Sequence, residues 1–202
     1  MADARDEQVW TKHAEEHKAQ WEPHEPNVAS VELMFFNELR EKLYKGTPLK
    51  FLDIGCGSAL WRNVFPTDLF DYHGVDQNAK MIEYAKERFP EIDFRVANAN
   101  ELPYIDGEFD IIWTAAVIQH NTHEDKPPIL KELHRILKPE GVYICTENSF
   151  RKDNYHHVFP SYNEEITDNY SFTLSGWEKY MKEHKFNMAK YKHPSYFMYE
   201  KI

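Results

Sequence analysis

Short apolar runs alternate with amphipathic stretches through the first half of the chain. The apolar runs have the length of buried strands, and the stretches between them repeat apolar residues at three- and four-residue steps, as helices do. The predicted strands are 49–54, 72–75 and 93–97, and the predicted helices are 59–65 and 78–88. Strands and helices that alternate at this spacing predict right-handed crossovers and a parallel sheet.

The alternation continues in the second half of the chain. The predicted strands are 109–113, 141–145, 186–191 and 196–201, and the predicted helices are 128–137 and 177–184. A turn at Lys138–Gly141 leads into the strand 141–145. Residues 149–172 follow neither period and are rich in aromatic residues and histidines, which predicts a covering loop.

Two further helices are predicted ahead of the first strand. Residues 7–21 are compatible with a helix but highly charged, and Pro23 and Pro26 interrupt them. Ser30 is a suitable N-cap for the second helix, in which apolar residues recur at helical spacing up to Gly46.

Length and composition favour one folded domain. A chain of 202 residues is long enough for one buried core and short for two. No apolar run approaches the roughly 20 residues that span a bilayer, and the N-terminus is polar and acidic, unlike a signal peptide. The two cysteines, Cys56 and Cys145, suggest no disulfide framework. We therefore expect a cytoplasmic protein without a membrane partner.

Charge and histidine spacing argue against two classes of site. A net charge of −10 argues against nucleic acid as the main partner, because that affinity comes from clustered lysines and arginines. The eleven histidines include three close pairs, which are His13 and His17, His120 and His123, and His156 and His157. No HExxH motif, no paired CxxC and no obvious third ligand accompanies them, so no metal site is predicted.

The stretch Phe51–Leu60 contains a glycine turn directly after the first predicted strand. Such a turn presents backbone N–H groups where open α/β sheets bind ligands. Gly55 and Gly57 lack the third glycine of a dinucleotide fingerprint, and no Gly-Lys-Ser/Thr follows to make a phosphate loop. Asp76, at the end of the second strand, is suited to accept both hydroxyls of a ribose. The ligand predicted here is a nucleoside without a pyrophosphate.

Further motifs follow the glycine turn in order along the chain. They are Asp53-Ile-Gly-Cys-Gly-Ser58, Gly74-Val-Asp76 with Met81, Val96-Ala-Asn-Ala-Asn-Glu-Leu-Pro103, Glu108-Phe-Asp-Ile-Ile-Trp113 and Leu137-Lys-Pro-Glu-Gly141. Together they resemble the successive motifs of class I S-adenosylmethionine-dependent methyltransferases, of the small metabolite-modifying group (types 11 and 25). The resemblance covers about residues 48–148 and extends more weakly to the closing helix and strands.

The resemblance implies an α/β fold with a Rossmann-like, doubly wound and mostly parallel sheet. Its seven strands are expected in the order 3-2-1-4-5-7-6, with strand 7 antiparallel. A single domain is expected over residues 1–202. It comprises an N-terminal helical lid (1–47), a cofactor-binding core (48–148), and an acceptor-side loop with a closing helix and strands (149–202). We expect a monomer or a homodimer.

The resemblance also implies which residues bind the methyl donor, S-adenosylmethionine, and release S-adenosylhomocysteine. The implied binding residues are Asp53, Gly55, Cys56, Gly57, Asp76, Gln77, Met81, Asn98, Ala99 and Thr114. Asp53 would help to place the methionine ammonium, and Asp76 would take the ribose hydroxyls. Gln77 and Met81 would lie along the adenine, with Asn98 and the Ala99 N–H at its edge. The backbone of Thr114 would lie near the methionine part.

Two positions depart from the family pattern. Ala59 stands where many relatives have a third glycine. Asn98 stands where the family commonly has an aspartate, although its side-chain carbonyl still accepts a hydrogen bond from the adenine amino group. Taken singly, Asp76 and Asn98 are equally typical of ordinary turn residues, and only their joint spacing favours binding.

Methyl transfer from a sulfonium needs mainly proximity and exclusion of water, so a general base is optional. The best candidate base is His120, because histidine titrates near neutrality and the segment after the fourth strand ends on the acceptor side in such folds. His123, Glu147 and the His156–His157 pair are further candidates. Each has a plainer reading, which is a histidine that only shapes the loop or a solvated strand end.

Several functions remain open at this point. The first is methylation of a small molecule, with an oxygen acceptor slightly favoured over nitrogen. The second is methylation of tRNA or protein, which the acidic charge and the lack of an appended binding domain disfavour. The third is a catalytically silent module that binds the nucleoside. A nicotinamide-dependent enzyme is a distant fourth.

Overall fold

The computed structural model describes residues 10–12, 15, 39–115, 117–121, 124–146, 174–193 and 196–201. These residues form alternating strands and helices of an α/β protein. The chain divides into two compact units, Met1–Ala99 and Asn100–Ile202. The expectation of a single domain stays a prediction, and the two units are described in turn.

The first unit contains three parallel strands. Its elements are β1 (Leu49–Ile54), a 3-10 helix (Leu60–Val64), β2 (Phe70–Asp76), α1 (Ala79–Arg88) and β3 (Asp93–Val96). The strands lie in the order β3-β2-β1, with Phe51 of β1 beside Tyr72 of β2 and Asp53 beside Gly74. All three strands were predicted, and β2 is longer than expected at both ends. The parallel arrangement brings the carboxyl ends of these strands to one edge.

The second unit contains four strands and two longer helices. Its elements are β4 (Phe109–Ala115), a 3-10 helix (Ile118–His120), α2 (Lys126–Ile136), β5 (Leu137–Thr146), α3 (Leu174–Glu183), β6 (Phe186–His193) and β7 (Tyr196–Lys201). The strand order is β4-β5-β7-β6. Strand β5 runs parallel to β4, and β7 runs antiparallel to both β5 and β6. Within this unit the observed order is the one that the family resemblance implied.

Several boundaries in the second unit differ from the expected ones. Helix α2 begins at Lys126 rather than 128, because prolines are tolerated in the first turn, where the backbone N–H has no partner within the helix. The predicted turn Lys138–Gly141 lies inside β5, as an irregularity in the register between β4 and β5. Lys138 there forms an ion pair with Asp110 of β4 at 2.8 Å.

The N-terminal lid and the covering loop are described only in part. Residues 10–12 and 15 are helical, and residues 39–43 are helical up to the turn that precedes β1. Leu39 is 1% exposed and belongs to the core. The rest of the predicted lid, and the whole predicted loop 149–172, lie outside the described residues.

Aromatic side chains dominate the core of the first unit. The ring of Phe51 lies 4.5 Å from that of Phe65, 5.2 Å from that of Phe70 and 5.5 Å from that of Tyr72, centroid to centroid. Phe94 of β3 meets Tyr72 edge-on at 6.3 Å. Because such pairs add to the gain from burial, this cluster fixes β1, β2 and β3 against one another.

Glu132 and Arg135 of α2 form hydrogen bonds with the loop that leads into β4. The Leu102 N–H donates to the Glu132 carboxylate at 3.0 Å. The Arg135 guanidinium donates to the carbonyls of Leu102 and Tyr104 and to the carboxylates of Glu132 and Asp106. These contacts satisfy backbone groups of an irregular segment, which would otherwise depend on solvent.

Gly74 of β2 is closely surrounded and is expected not to tolerate a side chain. A Cβ there would lie 2.6 and 2.7 Å from ring carbons of Phe94 and 2.9 Å from Cys56 Sγ. We expect Gly74→Ala to lower the free energy of unfolding by about 1–3 kcal/mol, the usual cost of overpacking. Urea unfolding followed by circular dichroism measures this change.

The double variant Gly74→Ala/Phe94→Leu tests the stated cause. Removal of the ring leaves room for the methyl group, so Gly74→Ala is expected to cost less in the Phe94→Leu background than in the wild type. An equal cost in both backgrounds would show that the clash with Phe94 is not the reason.

Candidate functional site

The glycine turn after β1 is built from left-handed backbone conformations. Gly55 and Gly57 have φ values of +69° and +53°, in the region that favours glycine. The N–H groups of Gly55 and Cys56 both donate to the carbonyl of Val75, at 2.8 and 3.0 Å. The turn is therefore anchored to the carboxyl end of β2.

Ala59, which stands where many relatives have a third glycine, has a left-handed backbone conformation. Its φ is +61°, its side chain is fully buried, and its N–H donates to the Cys56 carbonyl at 2.9 Å. An alanine is able to adopt this left-handed backbone conformation at a cost of about 1–2 kcal/mol. Ala59 thus occupies a backbone conformation that glycine adopts more readily.

Asp76 ties the end of β2 to the glycine turn and to the start of α1. Its Oδ2 accepts from the Gly57 N–H at 2.9 Å, and its Oδ1 accepts from the Asn78 N–H at 2.8 Å. Burial raises the pKa of this carboxyl group, and the hydrogen bonds from Asn78 and Gly57 oppose the shift. Both oxygens are thus held in place by backbone groups.

The carboxylate of Asp76 fits the ribose of a nucleoside. A carboxylate has about four lone-pair sites, and the two backbone N–H groups use one on each oxygen. One acceptor site on each oxygen therefore remains for two adjacent hydroxyl groups. The neighbouring Gly55 and Gln77 are exposed, so this edge of the unit is accessible from solvent.

Asn78 was not predicted as a site residue, although the predicted helix 78–88 began at it. Its side-chain oxygen caps α1 by accepting from the N–H groups of Lys80 and Met81, at 2.9 and 3.1 Å. Its side-chain nitrogen donates to Thr11 Oγ at 3.0 Å. An asparagine directly before an amphipathic helix is the sequence signal that identifies such a cap.

The remaining predicted adenine contacts follow β2 and β3. Met81 is 9% exposed, and its sulfur lies 3.9 Å from the position that a Cβ on Gly57 would occupy. The Ala97 N–H donates to the Asp76 carbonyl at 3.0 Å, which holds the segment after β3 beside the end of β2. Asn98 and Ala99 follow at once and are partly exposed. Their roles toward adenine stay predictions.

Asp53 lies deeper than Asp76, at 1% exposure, and has a different partner. The Tyr72 hydroxyl donates to Asp53 Oδ2 at 2.5 Å. Burial raises the pKa of Asp53 to about 7, the bond from Tyr72 opposes the shift, and the charge of Asp76 adds to it. The acid that opens the first motif is therefore balanced between its two charge states near neutral pH.

Cys56 is buried inside the turn between these two acids. Burial raises the pKa of its thiol, and the charges of Asp53 and Asp76 raise it further. A thiol in such surroundings stays protonated and is a poor nucleophile. Cys56 therefore contributes its backbone and its volume to the turn.

Two of the predicted site residues in the second unit, Thr114 and His120, lie in the described part of the chain. Thr114 is fully buried, and its hydroxyl lies 2.9 Å from that of Tyr143, so its side chain is engaged by β5. His120 ends the 3-10 helix that follows β4. Burial, together with the charge of Lys126, lowers the pKa of His120 to about 4. The imidazole is therefore neutral at physiological pH.

Lys126 was not singled out from the sequence, although its positive charge lowers the pKa of the predicted base, His120. It is 1% exposed, and its ammonium group donates to the Asn121 carbonyl at 2.5 Å. The Asn121 side chain in turn donates to the Val117 carbonyl at 2.8 Å. A lysine at the start of a helix gives no signal in the sequence that it is buried.

The other catalytic candidates, His123, Glu147, His156 and His157, lie outside the described residues. Within the described part of the chain, no group of three or more histidine, cysteine, aspartate or glutamate residues is arranged to hold a metal ion. In the same part, no helix has the length and apolar character needed to cross a bilayer.

Comparison with known proteins shows which protein family the segment around this site resembles. Residues 52–145 match the family model described as a methyltransferase domain. The chain is 30% identical over 106 residues to the demethylmenaquinone methyltransferase of Lysinibacillus sphaericus, covering 50% of this chain and 44% of that protein. It is 36% identical over 105 residues to the ubiquinone/menaquinone biosynthesis C-methyltransferase UbiE of Rickettsia akari, covering 49% and 39%. The chain thus spans less than half the length of these relatives.

Solved structures share the fold. The PH0226 protein of Pyrococcus horikoshii superimposes with a TM-score of 0.66 at 19% identity, covering 90% of this chain and 94% of that one. The phosphoethanolamine N-methyltransferase 2 of Haemonchus contortus, solved with S-adenosyl-L-methionine, has a TM-score of 0.61 at 23% identity, covering 76% and 36%. These likenesses establish a Rossmann-like α/β fold. With the glycine turn, the acid that ends β2 and the match over 52–145, they identify this segment as a class I S-adenosylmethionine-dependent methyltransferase domain.

Proposed function

We propose that this protein transfers a methyl group from S-adenosylmethionine to a small-molecule acceptor. The observation that carries the proposal is the Asp76 carboxylate, held by the backbone N–H groups of Gly57 and Asn78 with acceptor capacity left for a ribose. The match of residues 52–145 to a methyltransferase domain supports the same donor. A cytoplasmic location and a monomeric or homodimeric state stay predictions from the sequence.

Different residues of the first unit would hold different parts of the donor. Asp76 would hold the ribose hydroxyls, and Gln77, Met81, Asn98 and the Ala99 N–H would hold the adenine. The glycine turn and Asp53 would hold the amino acid part. When bound, S-adenosylmethionine supplies an electrophilic methyl group on a sulfonium, which is already an excellent leaving group. The protein then needs mainly to orient the reactants and exclude water.

The protonation state of His120 affects which acceptor atom is favoured. A neutral imidazole is able to accept a proton, but one whose pKa is lowered to about 4 holds that proton weakly near neutral pH. This reduces the preference for an unactivated hydroxyl, which gains most from a base. Oxygen and nitrogen acceptors therefore stay side by side in the proposal. The relatives named as C-methyltransferases add an acidic carbon as a third candidate.

Two alternatives are kept because a simple measurement separates each from the main proposal. Methylation of a macromolecule, tRNA or protein, is the first alternative, and the net charge of −10 disfavours tRNA because it repels a polyanion. A silent module that only binds the nucleoside has the same donor site and differs in turnover alone.

The first prediction concerns the ribose contact. Asp76→Asn removes the negative charge and one acceptor oxygen, so we expect S-adenosylhomocysteine to bind about 10- to 100-fold more weakly, as loss of hydrogen bonds to a charged group implies. Isothermal titration calorimetry measures the dissociation constant. Asp71→Asn is the matched control, because Asp71 lies on the same strand with its side chain 59% exposed.

The result has two clear readings. Loss of affinity in Asp76→Asn but not in Asp71→Asn, with both variants folded by circular dichroism, supports the donor site. Unchanged affinity in Asp76→Asn, or no binding of S-adenosylhomocysteine to the wild type, overturns it.

The second prediction concerns the class of acceptor. With S-adenosylmethionine labelled on its methyl group, we expect the label to enter a metabolite extract and not RNA or protein fractions. The labelled product is expected to be one CH₂ unit (about 14 mass units) heavier than its acceptor. Label in RNA or protein supports the macromolecular alternative, and no transfer to any fraction supports the silent module.

The third prediction concerns His120 and uses the protein alone. We expect the pKa of His120, measured by NMR titration of its ring nitrogens, to lie near 4. In Lys126→Met the pKa is expected to rise toward 6.5 but to stay below it, since burial is the larger cause and the removed charge the smaller.

Lys131→Met is the control, because Lys131 lies on the same helix and is exposed. His120→Asn identifies the resonance. A wild-type His120 that titrates near 6.5 would contradict the burial described here, and an unchanged value in Lys126→Met would remove the role of the lysine charge.

A further inference from the structure

Tyr72 is a buried tyrosine that the donor motifs do not include. It lies on β2 in register with Phe51 of β1, and Asp53 is two residues further along β1 on the same face. This placement brings the Tyr72 hydroxyl to Asp53 Oδ2 at 2.5 Å. Tyr72 is 5% exposed and Asp53 is 1% exposed, so the pair is shielded from water.

The ring of Tyr72 is held on several sides. It stacks on Phe51 with an interplanar angle of 16°, lies 5.7 Å from Phe65 and meets Phe94 edge-on. The guanidinium carbon of Arg62 lies 5.5 Å from the ring centroid. A ring packed in this way cannot leave its rotamer without disrupting the core, so the position of its hydroxyl is fixed.

The groups that face Asp53 within the first unit set its charge. They are the Tyr72 hydroxyl, the Asp76 carboxylate and the Cys56 thiol, with Arg62 acting through the Tyr72 ring. Burial raises the pKa of Tyr72, as does the charge of Asp53, so this phenol stays a neutral donor. Burial raises the pKa of Asp53 to about 7, against the hydrogen bond from Tyr72. The described groups closest to Asp53 thus include no cation in direct contact with it.

We propose that Tyr72 is a positioning residue for the methyl donor, and that it sets the pH range in which donor binding releases a proton from Asp53. Its hydroxyl occupies Oδ2 and leaves Oδ1 as the acceptor for the ammonium of the donor's amino acid part. The ammonium stabilises the carboxylate, and Asp53 gives its proton to the buffer. This proposal rests on the proposed function, because it assumes that the amino acid part binds at Asp53.

The sign of the pH dependence follows from linkage. At low pH the free protein holds Asp53 protonated, and a ligand that binds the carboxylate has to displace that proton. Affinity for such a ligand therefore rises with pH and levels off above about 7, the pKa of Asp53 in the free protein. A ligand without the ammonium displaces no proton, and its affinity does not follow this curve.

Two ligands, one with the ammonium group and one without it, test this pH dependence on the full chain. S-Adenosylhomocysteine carries both the nucleoside and the amino acid part, whereas 5′-methylthioadenosine carries the nucleoside with its sulfur and no ammonium. From pH 7.5 to pH 5.5 we expect the dissociation constant of S-adenosylhomocysteine to rise roughly tenfold or more, and that of 5′-methylthioadenosine to stay within about twofold. Calorimetry in two buffers of different ionisation enthalpy is expected to show proton release for the first ligand only.

Variants of the pair identify the residues responsible. Tyr72→Phe removes the hydrogen bond that opposes the pKa rise of Asp53, so the pH curve of S-adenosylhomocysteine is expected to move to higher pH. At pH 7 its binding weakens several-fold, while binding of 5′-methylthioadenosine is unchanged. Asp53→Asn is expected to abolish proton release. Tyr104→Phe, at a buried tyrosine of the second unit, is the matched control for loss of a hydroxyl.

The outcomes separate this proposal from the one on which it rests. If both ligands bind the wild type without proton release, or if Tyr72→Phe keeps the wild-type curve while remaining folded by its melting temperature, the role of Tyr72 is overturned and the donor site stands. If neither ligand binds the wild type at any pH, the proposed function fails and this inference fails with it.

Discussion

The hydrogen bonds of the Asp76 carboxylate are the interaction on which the site depends. One oxygen holds the Gly57 N–H of the turn after β1, and the other holds the Asn78 N–H at the start of α1. The carbonyl of the same residue holds the Ala97 N–H after β3. One residue thus joins the ends of three strands and one helix, because backbone N–H groups without partners at these ends need an acceptor.

The two acids of the first unit show how environment separates residues of the same type. Asp76 sits among backbone N–H groups at the accessible edge, where they support its negative charge. Asp53 is almost fully buried, so burial favours the protonated acid, and the Tyr72 hydroxyl donates a hydrogen bond to it. A neutral sugar suits the first and a cation the second, since only a cation repays the cost of ionising a buried carboxyl group.

Motif spacing predicted the three described strands of the first unit and the glycine turn, because the motifs are local. The strand limits of β1, the start of the turn and the place of Asp76 follow from short apolar runs that end in polar residues. The sequence did not show that Tyr72 reaches Asp53, since this contact requires the register of two strands. Nor did it show that Lys126 is buried beside His120, because lysine is usually exposed.

The sequence by itself determined the strand and helix alternation, the glycine turn and the acid that ends β2, and therefore the class of donor. Hydrophobic periodicity and glycine placement act within a few residues, so they can be read without a fold. The tertiary structure alone decided the charge of the acidic and basic groups. Burial is the largest cause that raises the pKa of Asp53 to about 7 and lowers that of His120 to about 4, and both side chains become buried only when the chain folds.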